Sequence, residues 1–572
     1  MNISSFINSI IDMRNNKDSL FYWRTSHITI QKRINFLILL FSILFFSLCV
    51  RLLNLSVLSK EYLRSNTQTL TKRLNITDRN GNLLAVNLSS ASLYANPKKV
   101  LYPEHEAQKL IKIIPSLNKK EVLNKLRSKK TFVWIKRDIT PLEQQKLYNL
   151  GLVGFGFERE QKRFYTYGPL LSHVVGYVGR DLCGLAGIEK FYDKFLTSQP
   201  EVEDRSDFGN KLQLSIDVRM QNILSDELDK TIKKFSAKGG SGIILDPNNG
   251  EILALVSKPD FDPHYPGKAK PKQLFNMATQ GVYEVGSSMK GLTVAIGIDS
   301  GKTAITDAYN LSYMKVKGFQ LKDTYKLEGW HSLPYMFIKS TNIGMAQIML
   351  EIGKKDLMDY LRRLRLLSPL KIELPERARP LFPDYSRLTD LSLTTISYGY
   401  GISESPAHFA QAMIPMVNGG ILYPITLIKR NKLVKGTRVF KESTSNDLKK
   451  IMRLVVSTGT GKKAGVDGYY IGGKTGTANI AVNGKYDKSK RISSFVGIMP
   501  ASKPQYLVYV VLNEPVGIKE TFGFAGGGWS AAPTVGAIFK RMISLLGLPK
   551  MDPNSQEIKE LNDIEYKIYN ET

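Results

Sequence analysis

Cysteine is scarce: Cys49 and Cys183 are the only two in 572 residues. Cys49 falls inside an apolar run, so no bond to Cys183 is expected, and neither a disulfide framework nor a cysteine metal site follows. The six histidines show no H-E-x-x-H spacing, so neither a metal nor another cofactor is expected. Acidic residues are outnumbered, 51 against 80 lysines and arginines, for a net charge of +29. Such a balance fits nucleic acid, an anionic membrane surface or an acidic polymer. Yet there is no RGG run, zinc-finger spacing or aromatic RNA-binding signature, and the cations are dispersed apart from short clusters such as Lys119-Lys120 and Lys129-Lys130. A coding bias toward Lys, Asn and Ile on solvated faces accounts for the charge, and nucleic acid is not an expected partner. Internal repeats and low-complexity linkers are absent too.

What is present is ordinary in bulk, with 42% apolar and 23% charged residues, in a length that suits about three or four domains. One apolar run stands out, Ile34 to Val50, continued by Arg51-Leu52-Leu53. A helix of ~20 residues crosses a bilayer, and Arg51 can snorkel at the far end. A buried soluble helix is rarely apolar all round at this length, and no small-x-small cleavage site follows the run. Arg14, Lys17, Arg24, Lys32 and Arg33 precede it, against Arg51 and Lys60 beyond it. That asymmetry predicts residues 1–33 as a cytoplasmic tail, 34–53 as a transmembrane helix, and the remainder tethered outside the cytoplasmic membrane.

Residues 54–215 form a mixed α/β region. Arg79-Asn80-Gly81-Asn82 reads as a turn between extended segments at Leu74–Thr77 and Leu83–Val86. Amphipathic helical patterns follow at 104–115 and 119–128, then a strand at Thr131–Ile135. Nothing here has the look of a reaction centre, and the region reads as a spacer or partner-binding module. From 216 to 547 the pattern changes. A helix is predicted over Asp217–Leu228, and Asp246-Pro247-Asn248-Asn249-Gly250 marks a hairpin between Ser241–Leu245 and Glu251–Val256. Strand patterns return at Tyr470–Gly472, Ser494–Ile498 and Tyr506–Leu512, and a helix over Ala532–Leu546 closes the domain. Early and late strands with helices between predict an α+β fold in which those strands pair in one sheet flanked by helices. The polar residues 548–572 read as a mobile tail.

Three short stretches carry chemistry. In Tyr283-Glu284-Val285-Gly286-Ser287-Ser288-Met289-Lys290, a serine that opens a helix would place Lys290 one turn on, over the same face. A serine hydroxyl needs a base to become a nucleophile, and a lysine serves only if desolvation or a neighbouring cation lowers its pKa. The apolar stretch from Gly291 to Ile298 supplies such a setting. Lys339-Ser340-Thr341-Asn342 offers a hydroxyl and an amide that could orient a lysine and a substrate amide. Gly473-Lys474-Thr475-Gly476-Thr477 offers a cation, two hydroxyls and backbone donors for a carboxylate and a developing oxyanion. Taken singly, each stretch is better described as a capped helix or a Gly-rich strand end.

Together and in this order, S-x-x-K, S-x-N and K-T-G form the serine-acylating signature of penicillin-binding proteins and serine β-lactamases. The chain resembles a class B penicillin-binding protein, closest to the division-specific (septal) peptidoglycan D,D-transpeptidases. Arg73 to Ala85 is similar to the family's N-terminal R-G-x-I-x-D-R-N-G-x-x-L-A element, with Leu74 in place of glycine, and Gly184 to Glu189 to its G-x-x-G-x-E element. Asn276 to Thr279, Gly399 to Ser403, Asn418 to Gly420 and Trp529 to Pro533 fit as well, while Val285 stands where proline is frequent and Gly526 where threonine is expected.

The resemblance implies a penicillin-binding transpeptidase domain over 216–547 and a pedestal of the dimerisation type over 54–215. That pedestal is short for a glycosyltransferase domain, so glycan polymerisation would belong to a membrane-embedded partner acting with division proteins. It further implies Ser287 as nucleophile, Lys290 as its base, Ser340 as a proton relay and Asn342 as a holder of Lys290 and the substrate amide. Lys474, Thr475, Gly476 and Thr477 would bind the substrate, the terminal D-Ala-D-Ala of a peptidoglycan stem peptide, and β-lactams would act as inhibitors. Backbone N–H groups of Ser287 and Thr477 would form the oxyanion hole. An elongation-specific relative and a membrane-bound β-lactam sensor or β-lactamase share the three motifs. Tyr283-Glu284, where elongation enzymes tend to carry Tyr-Pro, favours division.

Overall fold

The computed structural model describes residues 17–53, 73–197, 211–432 and 434–569. The chain divides into two compact units, Met1–Thr71 and Lys72–Thr572. In the first, helix α1 spans Lys17–Leu53 and contains the apolar run. Its stretch Lys32–Leu52 has a mean hydropathy of 2.3 and 21 residues, which at 1.5 Å each reach about 30 Å, the hydrocarbon thickness of a bilayer. The helix fits a single-pass membrane anchor. It starts well before Ile34, since no proline or glycine interrupts residues 17 to 33. Residues 1–16 of the expected tail, and the join at 54–72 that carries Lys60, lie outside the described residues.

The second unit opens with a small sheet. Strands β1 (Asn75–Thr77) and β2 (Leu83–Ala95) pair antiparallel. The turn between them is built by Asp78, whose Oδ1 accepts the N–H groups of Asn80 and Asn82, both at 2.8 Å. Helices α2 (Pro103–Ile113) and α3 (Lys119–Leu126) follow, then β3 (Val133–Ile139) and β4 (Phe155–Tyr165), both antiparallel to β2. Leu110, Val122 and Leu126 of the helices share a core with Leu93 and Ile135 of the strands. Strand β4 is not legible in the sequence, because its centre is Glu158-Arg159-Glu160-Gln161-Lys162-Arg163, half in solvent. After the gap, β5 (Lys211–Gln213) returns to pair parallel with β1.

A buried ion cluster ties the beginning and end of this module together. Arg73, 2% exposed, meets Glu189 Oε2 at 2.5 Å and Asp193 at 2.7 Å, while Arg163 meets Glu189 Oε1 at 2.7 Å. The arginine of one sequence element and the glutamate of the other are thus partners across more than a hundred residues.

The rest of the unit is a sheet between helices. Helix α4 (Val218–Lys234) leads into β6 (Gly239–Leu245) and β7 (Ile252–Lys258). Helices α5 (Met289–Asp299), α6 (Leu333–Lys339), α7 (Asn342–Arg363, broken at Gly353) and α8 (Glu442–Ser457) come next. Then come β8 (Gly472–Val482), β9 (Lys485–Met499) and β10 (Tyr506–Asn513), and finally α9 (Ala531–Leu546) and α10 (Gln556–Tyr569). Strand order is β8-β9-β10-β6-β7, all antiparallel, so early and late strands do pair. The period-two alternation of a strand sends Ile244, Val508 and Val510 to one face with α4 and α9. Ile243, Leu245 and Val511 go to the other face, into the core that holds Leu292 of α5 and Leu448 of α8. Strand β8 is left at the sheet edge.

The C-terminal segment departs from expectation. Helix α10 packs against α8 and buries Ile558 and Leu561. These two and Ile564 recur at intervals of three, which places them along one helical face.

Replacing Glu189 by alanine would leave Arg73 and Arg163 buried beside a single partly exposed carboxylate, Asp193. A loss of ~3–5 kcal/mol is expected, as for other broken buried pairs. Denaturant unfolding of the detergent-solubilised chain measures it, and a variant as stable as the parent contradicts the assigned role.

Candidate active site

Glycine at 286 shapes the turn that carries Ser287. Its φ is +54°, and a Cβ there would sit 2.4 Å from the Thr477 carbonyl oxygen. Only glycine allows this conformation and this approach together. Ser287 consequently lies in a single 3-10 turn, Gly286–Ser288, and the regular helix α5 begins at Met289. Every residue of α5 except Ile298 is buried. Lys290, in its first turn, is 1% exposed.

The Lys290 ammonium is held by three acceptors: the Ser340 carbonyl at 2.5 Å, Ser340 Oγ at 3.2 Å and Asn342 Oδ1 at 2.8 Å. Ser287 Oγ is not among them. These three take all the protons an ammonium can donate, and loss of one proton would free a lone pair on Nζ. Ser340 ends α6 in the left-handed conformation, φ +59°, a geometry that costs a non-glycine residue ~1–2 kcal/mol. The turn points both its carbonyl and its hydroxyl at Lys290. Asn342 starts α7, and its amide is oriented by a hydrogen bond from Nδ2 to the Lys322 carbonyl at 3.0 Å.

Lys474 enters from β8 and is fully buried. Its Nζ donates to Ser340 Oγ at 3.0 Å and to the Thr475 carbonyl at 3.1 Å, above the Phe337 ring at 5.5 Å. One hydroxyl is therefore shared by two buried amines. Alternation along β8 puts Lys474 and Gly476 on one face and Thr475 and Thr477 on the other. A Cβ at 476 would meet Ser494 Oγ at 2.2 Å and Ser288 Oγ at 2.3 Å, so this glycine lets the strand lie against the Ser287 turn. Thr475 Oγ1 lies 3.0 Å from Thr460 Oγ1, and Thr477 Oγ1 accepts the Gly527 N–H at 3.0 Å. The structure thus brings all eight sequence-predicted residues into one region, around the Ser287 turn, the Ser340 turn and the β8 edge.

Burial lowers the pKa of Lys290 to about 7, opposed by the nearby Asp323 carboxylate. Lys474 is pushed well below the ordinary lysine range by burial and by the charge of Lys290. The arrangement can offer a neutral amine at neutral pH, a hydroxyl bridging two amines, and a serine on a turn packed against the edge of a sheet.

Residues 240–540 match the penicillin binding protein transpeptidase domain, and residues 68–211 match the penicillin-binding protein dimerisation domain. The chain belongs to the class B penicillin-binding proteins. Among its relatives, a probable peptidoglycan D,D-transpeptidase FtsI of Caulobacter vibrioides is 36% identical over 84% of this chain and 82% of its own. A probable peptidoglycan D,D-transpeptidase PenA of Neisseria meningitidis is 32% identical over 91% of this chain and 94% of its own. In fold, the chain is similar to a peptidoglycan synthetase from Bifidobacterium adolescentis, with a TM-score of 0.66 at 21% identity over 85% of this chain and 98% of that one.

Within this penicillin-binding protein, several residues at the site carry no sequence signal. Asp323 accepts the backbone N–H groups of Asn342 and Ile343, the latter at 3.3 Å, and so caps α7 from a loop nineteen positions upstream. Its Oδ2 is buried without a partner, and burial raises its pKa. No local spacing connects Asp323 with Asn342, so only the fold reveals the contact. Phe337 and Thr460 are likewise brought in by packing alone. Two of the three departures from the family pattern acquire physical content. Val285 is buried, 6% exposed, and acts as a packing residue behind the turn. At Gly526 a Cβ would lie 3.0 Å from Thr477 Oγ1, so glycine leaves that hydroxyl less crowded.

Only the neutral form of Lys290 can accept a proton. Acylation of the protein by benzylpenicillin should therefore be slow at pH 5 and rise with a midpoint near the lysine pKa of about 7. Stopped-flow or quench-mass measurement across pH 5 to 9 tests this, and a rate constant flat from pH 5 to 8 excludes Lys290 as the base. The linkage has the same sign: the unfolded chain holds this proton up to the ordinary lysine pKa, so the Lys290 contribution to stability grows as pH rises from about 7 toward 10.5.

Proposed function

We propose that the protein cross-links peptidoglycan stem peptides at the division septum through an acyl-enzyme on Ser287. The observation that carries this reading is the pair of buried lysines, Lys290 and Lys474, joined through Ser340 Oγ beside the Ser287 turn. Neutral Lys290 takes the Ser287 proton as Oγ forms a bond to the carbonyl between the terminal D-alanines. The backbone N–H groups of Ser287 and Thr477 hold the resulting oxyanion, donors of a kind that can be worth ~3–4 kcal/mol. The C–N bond then breaks. Ser340 passes the proton from Lys290 to the departing D-alanine amine, and the acyl group stays on Ser287. An amine from a neighbouring stem peptide attacks the ester, gives its proton to Lys290 and restores the Ser287 hydroxyl. Asn342 holds Lys290 and the substrate amide. Lys474, Thr475 and Thr477 receive the terminal carboxylate, whose charge offsets the cost of keeping Lys474 protonated. Gly476 keeps the strand close to the nucleophile turn.

The basic residues before the apolar stretch of α1 support a cytoplasmic N-terminus, with the catalytic domain on the outer side of the membrane. Glycan polymerisation would come from a membrane-embedded partner among the division proteins. The FtsI-named relative and the Tyr283-Glu284 pair support the septal reading over lateral wall growth.

Intact mass after benzylpenicillin should show one stable adduct, mapped by peptide digestion to Ser287 and missing in Ser287→Ala. No adduct on the wild type, or an undiminished one on the variant, removes the assignment, and rapid nitrocefin turnover would indicate a β-lactamase. A fluorescent fusion should gather at the division site; uniform labelling of the side wall would favour an elongation role.

A further inference from the structure

A cavity of about 510 Å³ opens between the residues matched to the dimerisation domain and those matched to the transpeptidase domain. Three segments wall it. These are β4 with the end of β3, the hairpin that pairs Tyr177–Val178 with Gly184–Ala186, and the loop 263–268 that follows β7. Hydrogen bonds fix the walls against one another. His264 Nε2 accepts the Tyr165 N–H at 3.1 Å, and the Tyr165 hydroxyl accepts the Val178 N–H at 2.9 Å. Size and place both suit a small ligand, since such sites run from about 300 to 1,000 Å³ and favour domain junctions. None of the eight residues of the Ser287 site lines this cavity.

The charges of its lining do not balance. Arg137 lies 3.4 Å from Glu160, and Lys162 lies 3.4 Å from Asp138, so these four cancel. Arg180 and Lys268 line the same cavity, and among the described residues neither has an acidic partner; Lys268 has only the Tyr265 ring, at 4.9 Å. Arg163, 4% exposed, adds a third cation to the wall. Its Nε donates to Glu189 at 2.7 Å and its Nη1 to Asn87 Oδ1 at 3.0 Å, but its Nη2 is buried with no partner. A buried donor without an acceptor is costly, and a ligand oxygen would satisfy it. Gln161 Oε1, on the same wall, is a buried acceptor that also lacks a partner, and it suits a ligand hydroxyl.

Two unpaired cations beside a spare guanidinium donor match an anion of charge near −2. A phosphate monoester carries about −1.5 to −2 at neutral pH, with three acceptor oxygens for charge-assisted hydrogen bonds. Phosphate alone would leave most of the volume unfilled, and the rings of Tyr177 and Tyr265 offer surface for a larger body. We propose that this cavity binds a phosphate monoester, with its phosphoryl group held by Arg180, Lys268 and Arg163 and its hydroxyl-bearing body set against Tyr177, Tyr265 and Gln161. The assignment stands apart from the Ser287 reaction and does not depend on it. A soluble ester and a lipid headgroup offer the same phosphate chemistry, and the test separates them.

The test is calorimetric titration of the full-length protein in phosphatidylcholine nanodiscs. The probes are adenosine 5′-monophosphate, adenosine and succinate. The monophosphate should bind at least tenfold more tightly than either of the others, and more weakly as salt is added. A variant carrying Arg180→Gln and Lys268→Gln should bind it about tenfold more weakly while melting at the wild-type temperature, since both side chains are exposed. No binding of the monophosphate to the wild type overturns the proposal. So does adenosine or succinate binding as tightly, because the site then reads a base or any carboxylate rather than phosphate. These arms need no variant. Undiminished binding to a folded double variant places the ligand elsewhere and also overturns it. Adding about a fifth of phosphatidic acid to the nanodiscs identifies the source. Displacement of the probe assigns the site to a lipid headgroup, and unchanged binding assigns it to a soluble ester; both results uphold the phosphate site.

Discussion

Two lysine amines buried around one serine hydroxyl are the constraint on which the site depends. Lys290 and Lys474 reach Ser340 Oγ at 3.2 and 3.0 Å, and both are almost wholly removed from water. Burial lowers the pKa of Lys290, and burial together with the charge of Lys290 lowers that of Lys474. The result is a group able to act as a base near neutrality and a second amine that gains from the arrival of an anion. Everything around them serves this arrangement: the left-handed Ser340 turn, the Asn342 amide fixed by Lys322, and the Asp323 carboxylate that moderates the burial of Lys290. In the proposed reaction, the same hydroxyl that separates the amines carries the proton from one side of the scissile bond to the other.

The second constraint is proximity of main chains. The β8 edge lies against the Ser287 turn. Two glycines permit it, Gly286 against the Thr477 carbonyl and Gly476 against Ser288 and Ser494. Further along the same edge, Tyr400 accepts the Asn479 N–H and Glu284 accepts the Tyr486 O–H.

Much of the architecture was readable before any coordinates. The Asp246–Gly250 hairpin, the late strands and their pairing with the early ones follow from turn chemistry and alternation, and the apolar run announces α1 by length and composition. What escaped had physical reasons. Strand β4 is charged at its centre because it borders solvent, so it lacks the alternation that marks a half-buried strand. Helix α10 reads as a polar tail because its composition is mostly polar, and the buried pair Ile558 and Leu561 on one face is enough to dock it. Helix α1 extends N-terminally beyond the apolar segment because a polar stretch without helix breakers continues it.

The order of residues alone specified which groups could do chemistry: a serine and lysine three apart, a serine and asparagine two apart, and a lysine, threonine, glycine run. Those spacings are local, and local geometry is set by backbone periodicity. The arrangement in space settled the rest. It placed Lys290 against Ser340 and Asn342 rather than against Ser287, joined Lys474 to the same hydroxyl, and brought Asp323 to cap the helix that Asn342 begins. It also paired Arg73 with Glu189 across the pedestal. These contacts join residues tens to more than a hundred positions apart. They exist only because burial of the apolar sheet and helix faces forces distant segments together, and no short-range pattern in the chain records them.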